Sequence, residues 1–181
     1  KQKNAGAQYN LGCCYYFGHG VTQDHAEAVK WYRKAAEQGF VEAQFELALC
    51  YDNGDGVPQD DAESITWYYK AAEQGHVESY YCLGSMLKEV CELEDAIGCF
   101  QEATELGHAA AQYELGVAYS LGLGIEQNNE ESMKWYRKAA DKGNAIAQYN
   151  VGNCYYNGWG VAKSKSTAKI WFQKSADQGN S

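Results

Sequence analysis

The seven cysteines of this chain could form disulfides, bind a metal or act as nucleophiles, and their spacing discriminates between these roles. Cys14, Cys50 and Cys154 occupy the same position in different copies of a repeated sequence. Equivalent positions on stacked helices lie about 8–10 Å apart, whereas a disulfide requires Cα atoms within about 7 Å. We therefore expect these three to be buried core thiols. Cys91 and Cys99 remain a weaker disulfide candidate, since a short turn could bring them together.

Histidines and glycine-rich loops also carry little sign of chemistry. The four histidines lack the i, i+4 pair of a helical metal site, and His76 and His108, which share one repeat position, are expected at helix N-termini. Loops such as 18–21 (Gly-His-Gly-Val) lack the Lys-Ser/Thr of a phosphate loop. No Ser or Cys is visibly paired with a His and an orienting acid. The sequence thus predicts no catalytic residue, cofactor or metal.

These residues are positioned by a sequence that repeats itself about five times. Four copies are 36 residues long and the third has 32. The predicted repeats are 4–39, 40–75, 76–107, 108–143 and 144–179. A fixed period of this kind is typical of a solenoid, in which each unit buries its apolar face against its neighbours.

One repeat encodes two helices and a loop. In the first copy, apolar residues from Ala7 to Tyr15 follow helical spacing, and Gly18 ends that helix. Asp24 with Glu27 forms a capping box for a second helix, which Gly39 ends. The glycines expected to end the later second helices are Gly75, Gly107, Gly143 and Gly179. The sequence therefore predicts about ten antiparallel helices and no strands.

The repeated pattern A-x-A-Q-Y-x-L-G-x-x-Y-x-x-G-x-G-V resembles the Sel1-like repeat (SLR) family, a branch of the tetratricopeptide-repeat superfamily. It is carried by Leu11-Gly12, Gly18-x-Gly20-Val21 and Trp31-Tyr32, with further copies around Leu47, Leu115 and Val151. The resemblance implies an all-α, α/α right-handed superhelical solenoid of about five helix–loop–helix repeats. It also implies that the first helix of each repeat lines a concave face that receives peptides or protein segments. We expect residues 1–181 to form a single solenoid array.

The third repeat departs from the pattern. It lacks the Gly-x-Gly-Val loop, and Cys99 stands where other repeats have Trp. Its Leu83-Gly84, Ala96 and Phe100 have the spacing of an ordinary tetratricopeptide repeat. We expect this repeat to stack, with altered curvature near residues 86–95.

The charge distribution bears on the type of partner. The net charge is −9, of which the second and third repeats carry −7 and −6, while the fifth carries +3. Nucleic acid is a poor partner for such a surface, since its binding relies on Lys and Arg neutralising phosphates. A basic protein patch would be steered toward the middle of the chain, although the acidic residues could equally serve solubility.

Helix positions that vary between repeats are free to serve recognition, whereas the constant positions form the scaffold. The varying positions of the first helices fall on one face, beside a ladder of Tyr9, Phe45, Tyr81, Tyr113 and Tyr149 that could be exposed or packed. Trp159 occupies the loop position of His19, Asp55 and Leu123, where a Trp could be a contact hot spot. The predicted partner-binding residues are Asn10, Tyr16, Phe17, Glu42, Glu46, Asp52, Glu78, Lys88, Glu114, Ser120, Asn150, Asn153, Tyr156 and Trp159.

We therefore expect a non-catalytic scaffold or adaptor that binds another protein or peptide, with neither nucleic acid binding nor membrane insertion. The alternative is a small-molecule binder or weak hydrolase of the β-lactam type, as in cysteine-rich SLR proteins, although those carry a cysteine pair in each repeat that this chain lacks. End-to-end self-association through the terminal repeats, including Trp171 and Phe172, is a further hypothesis.

Overall fold

The structure, a computed structural model, describes residues 4–178, which form ten α-helices and no strand. The helices are α1 (Ala5–Phe17), α2 (His25–Ala36), α3 (Val41–Asn53), α4 (Asp61–Ala72), α5 (Val77–Glu89), α6 (Leu93–Glu105), α7 (Ala109–Leu121), α8 (Asn129–Asp141), α9 (Ala145–Asn157) and α10 (Lys165–Gln178). Each predicted repeat contributes one consecutive pair of helices. The predicted all-α fold of five helix–loop–helix repeats is confirmed.

The chain divides into two compact units, Lys1–Leu83 and Gly84–Ser181. The boundary lies within α5, in the third repeat, whose sequence departs from the others. The single array expected over residues 1–181 stays a prediction, and the contacts given below each lie within one unit.

Side-chain caps explain where several of the helices begin. The second helices α2, α4 and α8 follow Asp24, Asp60 and Asn128, whose side chains accept hydrogen bonds from the backbone N–H groups at the helix start. Asp24 accepts from the N–H of Glu27 at 2.9 Å, which is one half of the predicted capping box. The Glu27 carboxylate instead accepts from Lys30 at 2.7 Å, and so supports the helix surface.

Turns after the second helices use the predicted glycines. Gly39, Gly75, Gly107 and Gly143 all have positive φ, between 83° and 92°, a conformation that side chains with a Cβ resist. The corresponding prediction for Gly179 lies outside the described residues. A different turn, the short one between α5 and α6 within the third repeat, also contains a residue with positive φ. This residue is Cys91, whose φ is 65°.

Within four of the five hairpins the two helices approach closely because a glycine of the first helix faces a ring of the second, whereas the second repeat has Ala48 at this position. A Cβ at Gly12 would lie 2.6 Å from the ring of Tyr32, and one at Gly116 would lie 2.5 Å from the ring of Tyr136. Gly84 and Gly152 meet Phe100 and Phe172 in the same way. The Leu-Gly pair of the repeat therefore packs a leucine into the core and an aromatic ring onto the neighbouring backbone.

The second glycine of the Gly-x-Gly-Val loop joins one repeat to the repeat before it. A Cβ at Gly56 would lie 2.3 Å from the backbone carbonyl carbon of His25, at the start of α2. Gly160 approaches the backbone of Asn129 in the same way, with a Cβ-to-oxygen distance of 2.0 Å, and Gly124 approaches Leu93. These distances are far below van der Waals contact, so glycine is required there for packing as well as for its positive φ.

Buried glutamines form a second recurring contact. Gln74 at the end of α4 donates to Oε1 of Gln44 in α3 at 2.7 Å, and Gln178 donates to Gln148 at 2.8 Å. The equivalent residue in the fourth repeat is Lys142, and Oε1 of the buried Gln112 has no hydrogen-bond partner among residues 4–178. Lys142 donates instead to the carbonyl of Gly107.

The thiols are only partly as expected. Cys50 and Cys154 are buried, but Cys14 is half-buried, so its assignment to the core is wrong. The reason is that α3 packs on both α2 and α4, whereas α1 makes its main contact with α2 alone. All seven cysteines fall within residues 4–178 and are free thiols, Cys91 and Cys99 included.

The expectation that Trp171 contributes to an exposed end is also wrong. Trp171 is only 4% exposed and belongs to the same core cluster as Tyr136 and Val151. Lys174 and Arg137 cover its ring, at 4.2 and 4.6 Å from the ring centroid. Phe172 is half-buried beside Tyr149, at 5.6 Å between ring centroids.

Candidate functional site

All the predicted partner-binding residues are at least partly exposed. They lie on the first helix of each repeat, α1, α3, α5, α7 and α9, apart from Trp159 in the loop after α9. The exposed aromatic residues among them are Phe17, Tyr156 and Trp159, with 58%, 47% and 51% of their surface accessible. The constant positions on the same helices, such as Leu47, Leu115 and Val151, are fully buried. The division into variable surface and constant core thus holds for these positions.

Acidic residues dominate the α3 part of this surface. Glu42 is exposed, while Glu46 is half-buried and burial raises the pKa of its carboxyl group. Asp52 accepts a hydrogen bond from the hydroxyl of Tyr68 at 3.3 Å. Glu42 is therefore the most exposed of these three carboxylates, and Asp52, although half-buried, lies at the other end of the same helix.

The aromatic ladder is packed rather than free. Its rings lean on the second-helix aromatic of their own repeat: Tyr9 lies 5.9 Å from Tyr32 and Tyr113 lies 6.0 Å from Tyr136. Phe45 lies 5.9 Å from Tyr68 and also 4.6 Å from His76. In the fifth repeat Tyr149 packs on Phe172 but is still 52% exposed. The ladder is therefore mainly inter-helix packing, with one exposed member.

The variable positions meet in crevices between consecutive repeats. In the first unit, Tyr16 from the end of α1 lies flat on His25, with ring centroids 4.5 Å apart and planes 11° from parallel. Its hydroxyl donates to Asp55 at 2.8 Å, in the loop of the second repeat. Burial, followed by this hydrogen bond, raises the pKa of Tyr16 to about 12. The side chain of Tyr16 thus fills the space between the first two repeats.

The crevice between the third and fourth repeats is open. It has a volume of about 300 Å³, and its walls come from α5, α6, α7 and the loop after α7. Lys88 and Glu114, two of the predicted partner-binding residues, line it and form an ion pair at 2.7 Å. The rest of the wall is apolar, formed by Leu93, Ala96, Ile97, Phe100, Val117, Ala118 and Leu123.

The corresponding crevice between the fourth and fifth repeats is smaller and polar. Its volume is about 60 Å³. Four predicted residues, Ser120, Asn150, Asn153 and Trp159, come together in its wall. Trp159, which the loop position singled out, therefore contributes to a junction between repeats as well as to the exposed surface.

Other predicted residues stay apart from the three crevices. Asn10, Phe17, Glu42 and Glu78 lie on the open surface of the first unit. Tyr156 lines a separate depression of the fifth repeat, where the Lys165 ammonium lies 5.8 Å from its ring centroid.

The apolar wall of the open crevice was missed by sequence reasoning, because Leu93, Ile97 and Leu123 look like ordinary core residues. A signal was available in the loop position shared by Asp55, Leu123 and Trp159. In the second, fourth and fifth repeats that position contributes to the junction with the preceding repeat.

Burial holds two of the cysteines in an unreactive state. Burial raises the pKa of the Cys50 thiol to about 12 and that of Cys154 to about 11. Such thiols carry almost no thiolate at neutral pH and are weak nucleophiles. Within the described residues no group of His, Cys, Asp and Glu is arranged to hold a metal ion. No helix of residues 4–178 is long and apolar enough to cross a bilayer.

Comparison with solved structures places this arrangement among known repeat proteins. A Sel1 repeat protein from Oxalobacter formigenes is 34% identical, with a TM-score of 0.94 over 99% of this chain and 76% of its own length. A protective antigen with an SLR fold, present in uropathogenic Escherichia coli strains, is 38% identical with a TM-score of 0.92. That match covers 97% of this chain, which spans 38% of the length of the antigen.

A more distant structure shares the fold. An immunity protein of Pseudomonas aeruginosa matches 97% of this chain at 24% identity, with a TM-score of 0.55 and 66% of its own length covered. No curated protein matches the sequence significantly.

The family follows from the sequence profile together with these structures. The Sel1 repeat profile matches residues 5–40, 41–76, 79–108, 109–144 and 145–180. These five matches cover nearly the whole chain, the shortened third repeat included. The chain belongs to the Sel1 repeat family.

Proposed function

We propose that this chain is a non-catalytic scaffold that binds a peptide or protein segment through its first-helix surface, meaning the fourteen predicted partner-binding residues. The observation that carries the proposal is that these positions vary between repeats and are all at least partly exposed, whereas the constant positions beside them are buried. Variation without a structural cause is expected where a surface is shaped for recognition. The Sel1 repeat fold is itself typical of protein-interaction scaffolds.

The acidic part of the surface favours a basic partner segment. Glu42 is exposed and Asp52 is half-buried on α3, and the second repeat has a formal charge of −7. Clustered charge of one sign speeds the encounter with an oppositely charged partner and makes the affinity depend on salt.

A charge-matched pair of variants tests the proposal. A partner is captured on the 181-residue chain, purified, and titrated by calorimetry at several salt concentrations. Glu42→Gln with Asp52→Asn should weaken binding by about tenfold and flatten its salt dependence, because it removes two carboxylates that would face basic side chains of the partner. Glu37→Gln with Glu73→Gln removes the same net charge from the exposed ends of α2 and α4 and should change affinity little. Equal affinities of both double variants for the partner would remove the first-helix surface from the function.

A further inference from the structure

Three junctions between repeats are built from equivalent positions but differ in the side chains that occupy the space between the repeats. Counted from the start of each repeat, Tyr16, Lys88 and Ser120 are equivalent residues at the end of a first helix. In the first junction the aromatic ring of Tyr16 occupies the space. At the junction of the third and fourth repeats, Lys88 leaves a cavity of about 300 Å³. At the junction of the fourth and fifth repeats, amide side chains and Trp159 reduce it to about 60 Å³.

The surroundings of Tyr16 show what such a junction accommodates. Its ring lies on His25, its centroid is 6.3 Å from that of Tyr32, and its hydroxyl reaches Asp55. The residues equivalent to these three are Leu93, Phe100 and Leu123, and all three line the open crevice. The open crevice therefore offers an aromatic ring the same three-sided contact that Tyr16 makes within the chain.

The polarity of the open crevice differs from that of the junction filled by Tyr16. Leu123 stands where Asp55 accepts the hydroxyl of Tyr16, and Leu93 stands where His25 lies under the ring. A buried hydroxyl without an acceptor costs free energy. A phenyl ring is therefore better suited to this crevice than a phenol ring.

Charge around the crevice is strongly negative. Glu89, Glu92, Glu94 and Asp95 are exposed on the turn and helix start that follow Lys88. The cation at the crevice, Lys88, is already paired with Glu114 at 2.7 Å. A segment that places a ring in the crevice would bring its neighbouring residues beside these carboxylates, which favours Lys or Arg there.

We propose that the crevice between the third and fourth repeats, lined by Leu93, Phe100, Val117 and Leu123, binds a phenylalanine side chain of a basic partner segment. This proposal rests on the scaffold function and names the feature of the partner that the scaffold recognises. Burying one phenyl ring here would anchor the segment, and the acidic turn would select its flanking residues.

A peptide series tests the predicted ring. The probe is acetyl-Lys-Gly-Phe-Gly-Lys-amide, with versions carrying Tyr or Ala in place of Phe, titrated into the 181-residue chain and followed by methyl NMR. The Phe peptide should bind at least about tenfold more tightly than the Ala peptide, as expected for burial of an aromatic side chain. The shifts should concentrate on the methyl groups of Leu93, Ile97, Val117 and Leu123. Equal affinities of the Phe and Ala peptides, or shifts elsewhere, would overturn the proposal.

Filling the crevice from within provides a matched pair of variants. Lys88→Tyr introduces the residue found at the equivalent position 16, and should lower the affinity for the Phe peptide about tenfold although it removes a positive charge. Lys163→Tyr makes the same substitution at an exposed residue outside the first-helix surface, in the loop before α10, and should leave that affinity unchanged. Loss of binding in both variants, or in neither, would contradict the assignment of the ring to this crevice.

A variant that reverses the preference between the Phe and Tyr peptides provides a further test, because a variant that merely unfolds would lose binding to both. Leu123→Asp recreates the acceptor that Asp55 provides for Tyr16, so the Tyr peptide should now bind at least as tightly as the Phe peptide. An unchanged preference for Phe would argue against this pocket. If Lys88→Tyr leaves Phe binding intact while Glu42→Gln with Asp52→Asn still weakens the partner, the pocket is wrong and the scaffold function stands.

Discussion

The buried Gln112 lacks the hydrogen bond that its counterparts receive in two other repeats, because Lys142 stands where those repeats have a glutamine. In the second and fifth repeats a glutamine at the end of the second helix donates to the buried glutamine of the first helix. In the fourth repeat that donor is replaced by Lys142, and no atom in the described part of the chain donates a hydrogen bond to Oε1 of Gln112. Since a buried unsatisfied acceptor is destabilising, this position is a local weakness of α7 and α8.

Lys142→Gln should therefore raise the free energy of unfolding by about 1 kcal/mol, the usual value of a restored buried hydrogen bond. The gain in stability is limited because Lys142→Gln also removes the hydrogen bond that Lys142 donates to the exposed Gly107 carbonyl. Urea denaturation of both proteins measures the difference. Lys142→Ala, which offers no donor, is the control, and equal stability of the Gln and Ala variants would refute the hydrogen bond as the cause.

His76 makes the start of α5 sensitive to acid. Its Nδ1 accepts from the N–H of Ser79 at 3.2 Å, and burial lowers its pKa although Glu42 and Glu78 act in the opposite direction. Because the unfolded chain binds the proton more readily, the stability that the neutral ring provides is fully present above the unfolded pKa of about 6.5. It is lost as the pH falls from there toward the lower pKa of the folded state.

Replacing His76 by asparagine separates the cap from the titration. Asn4 and Asn144 accept the same backbone hydrogen bond at the equivalent position, so His76→Asn should keep the cap. The free energy of unfolding of His76→Asn should then fall less between pH 7 and pH 5 than that of the original chain. Parallel pH profiles for the two proteins would exclude His76 as the source of acid sensitivity.

At the scale of the elements, each Gly-x-Gly-Val loop contains two glycines with different structural roles. The first ends the helix, whereas the second lets the loop approach the preceding repeat. Gly20 and Gly56 separate these effects, because their φ angles are 77° and 74° but a Cβ at Gly20 meets nothing within 4 Å.

Gly20→Ala should cost about 1–2 kcal/mol, the penalty of a positive φ alone. Gly56→Ala should cost at least twice as much, since its Cβ would lie 2.3 Å from the backbone of His25 and the repeats would have to separate. Chemical denaturation of the two variants measures the difference. Similar losses would show that the turn conformation, and not the junction, sets the requirement for glycine.

The helices, their caps and their glycine stops could be predicted from the sequence, because each depends on residues within a few positions of one another. The capping by Asp24 and the positive φ at Gly39 are examples. Contacts between repeats were harder to predict. The approach of Gly56 to His25 and the pairing of Tyr16 with Asp55 join residues 31 and 39 positions apart, and a repeat pattern does not reveal which face each presents.

At the scale of the whole chain, charge and cavities both vary between repeats, although the fold of each repeat does not. The second and third repeats are acidic and the fifth is basic. The junctions range from one filled by Tyr16 to one open by about 300 Å³. Each of these junctions therefore has its own chemistry on a common framework.

The contact of the second loop glycine has an evolutionary consequence. The fourth repeat carries both halves of a junction, since its Gly124 approaches Leu93 of the repeat before it and its Asn129 receives Gly160 of the repeat after it. A duplicated copy of such a repeat would thus contain both the glycine loop and the helix start that the contact requires. Lengthening the array by gene duplication needs no compensating mutation at these contacts, while the residues that line each new crevice remain free to diverge.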